Sequence, residues 1–252
     1  MRIGGGKRFA LFNKGWYNKY VMELILNLEK YENAIKQEKR EEFALFRALL
    51  LEYNQKYNLT TILEEKDMFY KHFLDSALGE GFFKEGARVA EIGSGAGFPS
   101  IPLKILRPDL KLDLFESVGK KCEFLKAVVD KFQFQDVHIY NLRAEDAARN
   151  PQFRERYDCV TARAVARMNT LCEYCLPFVK VGGSFIAYKS GDEEEILESN
   201  TACAILGAKK ASVYQYELPE GYGSRILAVA EKVKATPLKY PRGQGKERKQ
   251  PL

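Results

Sequence analysis

Glu91, Gly93, Gly95 and Gly97 stand at alternate positions in the run Glu91-Ile-Gly-Ser-Gly-Ala-Gly-Phe-Pro99. Glycines let a backbone pass close beneath a ligand and take up positive φ. The run follows an apolar strand expected over 88–92. It precedes a helix with Pro99 and Pro102 near its start, where a missing amide proton costs little. A helix start offers unpaired amides and the positive end of a dipole. These features describe a ligand loop at the carboxyl end of the first strand of an open α/β sheet. The spacing is not the G-x-G-x-x-G of dinucleotide sites. The Glu91 carboxylate would oppose a pyrophosphate and suit an ammonium group. A glycine-rich turn without a ligand is the alternative that the loop alone leaves open.

The order acidic-x-G-x-G-x-G resembles the loop of S-adenosylmethionine-dependent methyltransferases, in which the ammonium belongs to the methionine part of the cofactor. Glu116 ends the second expected strand, where two carboxylate oxygens can chelate ribose hydroxyls; a surface carboxylate at a strand end is the plainer alternative. Arg143-Ala144-Glu145 follows the third strand, at the edge that borders the adenine pocket in this fold, so Ala144 and Glu145 are candidate adenine contacts. The fourth strand ends in Thr161-Ala-Arg163-Ala. The Asn/Asp-Pro-Pro-Tyr/Phe motif that grips an exocyclic amine is absent there, as is a Pro-Cys nucleophile. The Arg163 fork can clamp a phosphate, a carboxylate or a guanine edge, or simply close a salt bridge at the sheet end. His72 and Asp75 lie on one helix face at i, i+3. His72 is the one candidate base, and a mutual hydrogen bond of the pair that pins the helix is the alternative.

The elements that must position these residues follow from periodicity. Helices are expected over 21–36, 40–57 and 66–78. Strand and helix then alternate: strands at 88–92, 111–116, 137–140, 157–162, 183–188, 211–217 and 225–231, and helices at 100–107, 119–132, 167–178 and 192–206. The expectation is a Rossmann-like, mostly parallel seven-stranded sheet with an N-terminal helical extension. Residues 1–20 read as a basic, poorly ordered extension, 21–80 as the helical part, 81–235 as the sheet domain and 236–252 as a basic tail, all in one compact body.

The 252 residues suffice for one such domain, and 46% hydrophobic with 29% charged residues is ordinary for a globular protein. No apolar run approaches a membrane span and no signal peptide is visible, so the cytoplasm is the expectation. The net charge of +6 is uneven: residues 1–20 hold five basic and no acidic side chains, and residues 232–252 seven basic and one acidic, which leaves the middle acidic. Basic ends suit a polyanion such as RNA, or serve solubility alone. Cys172 and Cys175 form C-x-x-C within an expected helix, with no second pair. Together with Cys122, Cys159 and Cys203 they read as small buried hydrophobes, and no metal is expected.

From about Tyr53 onward the chain resembles the bacterial 16S rRNA guanine-N7 methyltransferases, also called glucose-inhibited division protein B. The likeness rests on Tyr53-Asn54 through Asn58-Leu-Thr60, His72-Phe-Leu-Asp75-Ser76, the Glu91–Pro99 run, Arg143-Ala-Glu145, Arg163-Ala164, Lys189 and Tyr240-Pro-Arg242. It implies a class I methyltransferase fold, S-adenosyl-L-methionine as donor, and methylation of guanine 527 in the 530 loop of 16S rRNA. It also implies cofactor contacts at Gly93, Phe98, Ala144, Glu145 and Arg163. Tyr53 stands where Trp is usual, and Ser100 and Ser190 where Gly is common. Guanine N7 has a free lone pair, so positioning rather than a strong base is demanded. N7 faces the deep groove of A-form RNA, so the target is expected in a loop or extruded. Arg163, Arg167, Lys189, Arg242, Lys246, Arg248 and Lys249 are the candidates for guiding RNA. The partner would be 16S rRNA, the small subunit or an assembly intermediate, met by a monomer. Two other classes fit the residues less fully: a small-molecule methyltransferase on the same fold, and a non-enzymatic RNA-binding module.

Overall fold

The computed structural model describes residues 28–191 and 193–252. The extension expected over 1–20, with Trp16 and Gly4 to Gly6, lies outside them, as does the start of the helix expected over 21–36. The described chain opens with α1 (Leu28–Asn33), which widens into a π-helical stretch at Ala34–Glu38. Helix α2 (Arg40–Tyr57) buries Phe43, Phe46 and Leu50, the i, i+3, i+4 face that its sequence predicts. It stops at Asn58, which adopts the left-handed conformation at φ 49°. The helix expected over 66–78 is a composite: α3 (Glu65–Met68), a π-helical segment Phe69–Leu74, and α4 (Asp75–Ala77). Such π winding concentrates at functional sites.

Seven strands follow: β1 (Arg88–Ile92), β2 (Lys111–Phe115), β3 (Val137–Tyr140), β4 (Tyr157–Arg163), β5 (Val179–Lys189), β6 (Ser212–Glu217) and β7 (Ser224–Glu231). Their order is β3-β2-β1-β4-β5-β7-β6, parallel except where β7 runs against β5 and β6. The order reverses between β1 and β4, and that switch point is where open α/β sheets bind ligands, beyond the carboxyl ends of the strands. Ile92 is in register with Phe115, and Arg163 with Tyr188, so the chemistry-bearing ends of β1, β2, β4 and β5 share one edge.

Helices α5 (Ser100–Leu106), α6 (Gly119–Phe132), α7 (Ala144–Ala147), α8 (Met168–Cys175), α9 (Glu193–Glu198), α10 (Asn200–Ile205) and α11 (Lys246–Lys249) complete the fold. One sheet face packs Phe46, Phe73, Ile101 and Leu125 beneath the N-terminal helices. The other packs Ile92, Phe115, Met168, Leu171 and Phe185. Both faces are covered, so the central strands β1, β2 and β4 are buried at nearly every position, charged residues included. All five cysteines are buried and unbridged, and burial holds the Cys175 thiol well above its usual range. Among the described residues no helix is long and apolar enough to cross a membrane.

The last stretch is docked onto the body. Arg242 pairs with the fully buried Glu173 at 2.7 Å, and Arg149 and Arg154 donate to the carbonyls of Pro241 and Tyr240. Lys232, itself buried, reaches Glu155 at 3.1 Å.

Candidate functional site

The glycine loop leaves β1 at the switch point. Gly97 has φ 81°, and a Cβ there would stand 2.5 Å from Ile101 Cγ1. Gly95 has φ 55°, but an added Cβ would meet only the Gly93 carbonyl oxygen, at 3.8 Å. The loop therefore presses inward at Gly97 and opens outward at Gly95.

Glu91 is fully buried at the end of β1. Its Oε2 accepts the Ser100 N–H at 3.3 Å, at the start of α5, while Oε1 has no partner. Burial pushes its carboxyl up to about 8. Arg163 Nη1 is likewise buried without a partner; the Ser100 hydroxyl, buried without a well-formed hydrogen bond, and the Arg163 charge both act on Glu91. Buried polar atoms are normally satisfied, so an acceptor, a hydroxyl and a guanidinium nitrogen left unpaired around one loop mark a place for a polar ligand. A buried carboxyl whose negative charge an adjoining ammonium would restore, together with a guanidinium, matches an amino acid's ammonium and carboxylate, so these residues fit the methionine part of S-adenosyl-L-methionine.

Glu116 lies just past β2 and is pinned: Oε2 accepts the Gly95 N–H at 2.9 Å and Oε1 the Val118 N–H at 2.8 Å. Each oxygen keeps a lone pair for a hydroxyl donor. Asn141 Nδ2 donates to the Glu116 carbonyl at 2.9 Å, tying the loop after β3 to the loop after β2. Val118 and Leu142, on these two loops, are 45% and 39% exposed. Two exposed apolar side chains beside a pinned carboxylate can sandwich a flat ring. Sequence reasoning passed them over because an isolated Val or Leu carries no pattern. Ala144 and Glu145 begin α7 next to them, with Arg143 at 3.9 Å from Glu145.

Arg163, at the end of β4, is gripped on one nitrogen. Its Nη2 donates to the Lys71 carbonyl, lies 3.2 Å from Asp75 Oδ2 and approaches His72 Nδ1 at 3.3 Å. His72 Nδ1 also lies 3.2 Å from the Lys71 carbonyl, and Nε2 lies 3.1 Å from Thr60 Oγ1. Burial, and then the Arg163 charge, press the imidazole down to about 3. The ring stacks on Phe98 at 4.3 Å, and Phe98 in turn lies under the Arg163 guanidinium at 5.9 Å. His72 and Asp75 thus face Arg163. Asp75 takes its hydrogen bond from Tyr216, not from His72.

The basic candidates divide into two groups. Lys189 is held by Glu195 at 2.8 Å and Arg242 by Glu173. Arg167, Lys246, Arg248 and Lys249 are exposed, with Arg167 paired to the exposed Glu198 at 2.8 Å. Arg248 reaches the Val165 carbonyl at 3.4 Å, two residues beyond Arg163, which brings α11 beside the end of β4.

Comparison with known proteins adds the family. The model of the family described as "rRNA small subunit methyltransferase G" matches residues 39–221. The ribosomal RNA small subunit methyltransferase G of Lactobacillus acidophilus is 44% identical over 236 residues, 91% of this chain and 98% of its own. That of Staphylococcus aureus is 42% identical over 228 residues, 89% of this chain and 95% of its own. Among solved structures, P. horikoshii TYW2 in complex with MeSAdo aligns with a TM-score of 0.52 at 15% identity, over 63% of this chain and 62% of that one. This last likeness is one of fold.

Proposed function

The chain belongs to the rRNA small subunit methyltransferase G family, S-adenosyl-L-methionine-dependent enzymes of rRNA methylation, and from that premise we propose that it methylates N7 of guanine 527 in the 530 loop of 16S rRNA. The observation that carries the methyl-donor half of this reading is the set of buried, unpartnered atoms Glu91 Oε1, Ser100 Oγ and Arg163 Nη1 around the glycine loop. They sit in a chain that lacks the amine-gripping motif.

When bound, S-adenosyl-L-methionine supplies a methyl group on a cationic sulfur. Gly93, Gly95, Gly97 and Phe98 form the wall of its site. Glu91 meets the ammonium, Arg163 the carboxylate, Glu116 the ribose, and Ala144 and Glu145, with Val118 and Leu142, the adenine. Guanine N7 has a free lone pair at neutral pH, so no side chain need remove a proton. His72 fits this chemistry as a support: its Nδ1 lies 3.3 Å from Arg163 Nη2, its ring stacks on Phe98, and its depressed basicity keeps it neutral. Arg163 carries the catalytic role through placement of the reactants. RNA is guided by the exposed Arg167, Lys246, Arg248 and Lys249. Lys189 and Arg242, committed to buried or half-buried carboxylates, hold the elements beneath that surface. The enzyme acts as a cytoplasmic monomer on the small ribosomal subunit or an assembly intermediate.

The test is incubation of the protein with labelled S-adenosyl-L-methionine and small subunits from a strain lacking this enzyme. The modified nucleotide is then mapped by strand scission at N7-methylguanine. Label at guanine 527 is expected. Label elsewhere in the rRNA would overturn the position, and label only in small molecules would overturn the RNA substrate.

A further inference from the structure

We infer that Asp75 is a positioning residue for methyl transfer: it holds Arg163 so that one guanidinium nitrogen faces the donor, and the edge hairpin β6–β7 holds Asp75 in turn. The inference rests on the reading that Arg163 meets the donor.

The Asp75 carboxylate is 3% exposed, and its two oxygens serve different parts of the fold. Oδ2 lies 3.2 Å from Arg163 Nη2 at the end of β4. Oδ1 accepts the Tyr216 hydroxyl of β6 at 2.8 Å and lies 3.7 Å from Arg225 Nε of β7. Tyr216 is itself buried, and Arg163 and Arg225 are only 16% and 15% exposed. A buried carboxylate with these partners has little freedom to turn, so neither has the guanidinium it grips.

The arrangement is lopsided in a way that structure alone does not require. Two guanidinium groups face one carboxylate, which leaves a surplus positive charge. Arg163 Nη2, with two N–H groups, has the Lys71 carbonyl and Asp75 Oδ2 in reach, while Nη1 has no acceptor despite being buried. A fork anchored on one nitrogen presents the other at a fixed place, and a surplus charge there suits an anionic oxygen of the ligand. The neighbouring backbone supports the same placement. Tyr188, in register with Arg163 on β5, donates to the Ser76 carbonyl at 3.0 Å, fixing the turn that carries Asp75.

The experiment uses the full-length protein. Asp75→Asn keeps size and an acceptor for Tyr216 while removing the charge, and Tyr216→Phe keeps the ring and removes only the donor. Each is made alone and in an Arg163→Ala background. S-adenosyl-L-methionine affinity is read by calorimetry, folding by thermal unfolding, and methyl transfer by single turnover. Asp75→Asn is expected to weaken donor binding about tenfold, the scale of one charge-assisted hydrogen bond, and Tyr216→Phe by about threefold. In the Arg163→Ala background neither is expected to add further loss, because both act through that guanidinium. Equal losses in both backgrounds would overturn the inference, as would wild-type affinity in a folded Asp75→Asn protein. If Asp75→Asn does not fold, the Tyr216→Phe pair decides by the same criterion. If Arg163→Ala weakens binding and Asp75→Asn does not, the positioning role alone fails. If Arg163→Ala leaves donor affinity unchanged, the placement of Arg163 against the donor fails with it.

Discussion

Glu91 is an acid whose proton leaves only near pH 8, because burial penalises its charged form. Between its ordinary value and about 8 the folded protein holds a proton that the unfolded chain has released. The stabilisation this gives is complete at acid pH and is lost as pH rises toward 8. Glu91→Gln should therefore flatten the fall in stability between pH 5 and 8, measured by urea unfolding of the ligand-free protein. His72 has the opposite sign: its folded value lies near 3, below the ordinary imidazole range. Its contribution is present above the ordinary value and lost as pH falls toward 3. The same depression predicts that the pH profile of methyl transfer shows no inflection near 6.5 from this ring. An inflection there that disappears in His72→Gln would mean that the imidazole titrates in the working enzyme.

At the scale of elements, two neighbouring glycines make different predictions. Gly97→Ala combines a positive φ with a close approach to Ile101 and should cost about 1–3 kcal/mol of stability. Gly95→Ala has positive φ but open space, so its stability loss should be about 1 kcal/mol, while its methyl group would enter the space proposed for the donor. Calorimetry with S-adenosyl-L-methionine is expected to show the larger affinity loss in Gly95→Ala. The glycine loop and strands β1 and β3 were legible because their signals are local: alternate glycines and short apolar runs between turns. Helix α6, with Phe124, Leu125 and Val128 inward, was legible for the same reason. What was not legible depends on distant partners. Strand β5 begins four residues before the expected Gly183, at Val179, because Tyr157 pairs with it there. The helix expected over 192–206 breaks at Ser199, whose side chain turns back onto the Ile196 carbonyl. Nothing local announces that residues 69–74 wind as a π-helix, nor that the Lys71 carbonyl would meet a guanidinium from β4.

For the whole molecule, the basic C-terminal stretch belongs to the packed body as well as to its charged surface. Truncation after Val233 would strip Arg242 from Glu173, and a buried carboxylate left alone costs about 3–5 kcal/mol. Thermal unfolding of such a truncation is expected to show a lower midpoint, so it cannot isolate RNA binding. Point substitutions of Lys246 and Lys249 are the cleaner probe. Both are exposed, and each replacement by Gln should lower the slope of log affinity against log salt by about 0.7 to 0.9 while leaving stability unchanged.

The Asp75 cluster has a consequence for the order in which the protein is made. Asp75 leaves the ribosome 141 residues before Tyr216, whose phenol donates to its carboxylate, and Arg225 comes later still. A growing chain that already displays the glycine loop and Arg163 has an unanchored acid where the finished enzyme has a fixed one. If Asp75 positions Arg163 as proposed, full competence to grip the methyl donor is a property that translation completes late, once the edge hairpin has been synthesised. A chain released before that point would carry every recognisable motif of the donor loop and still lack the hold on Asp75.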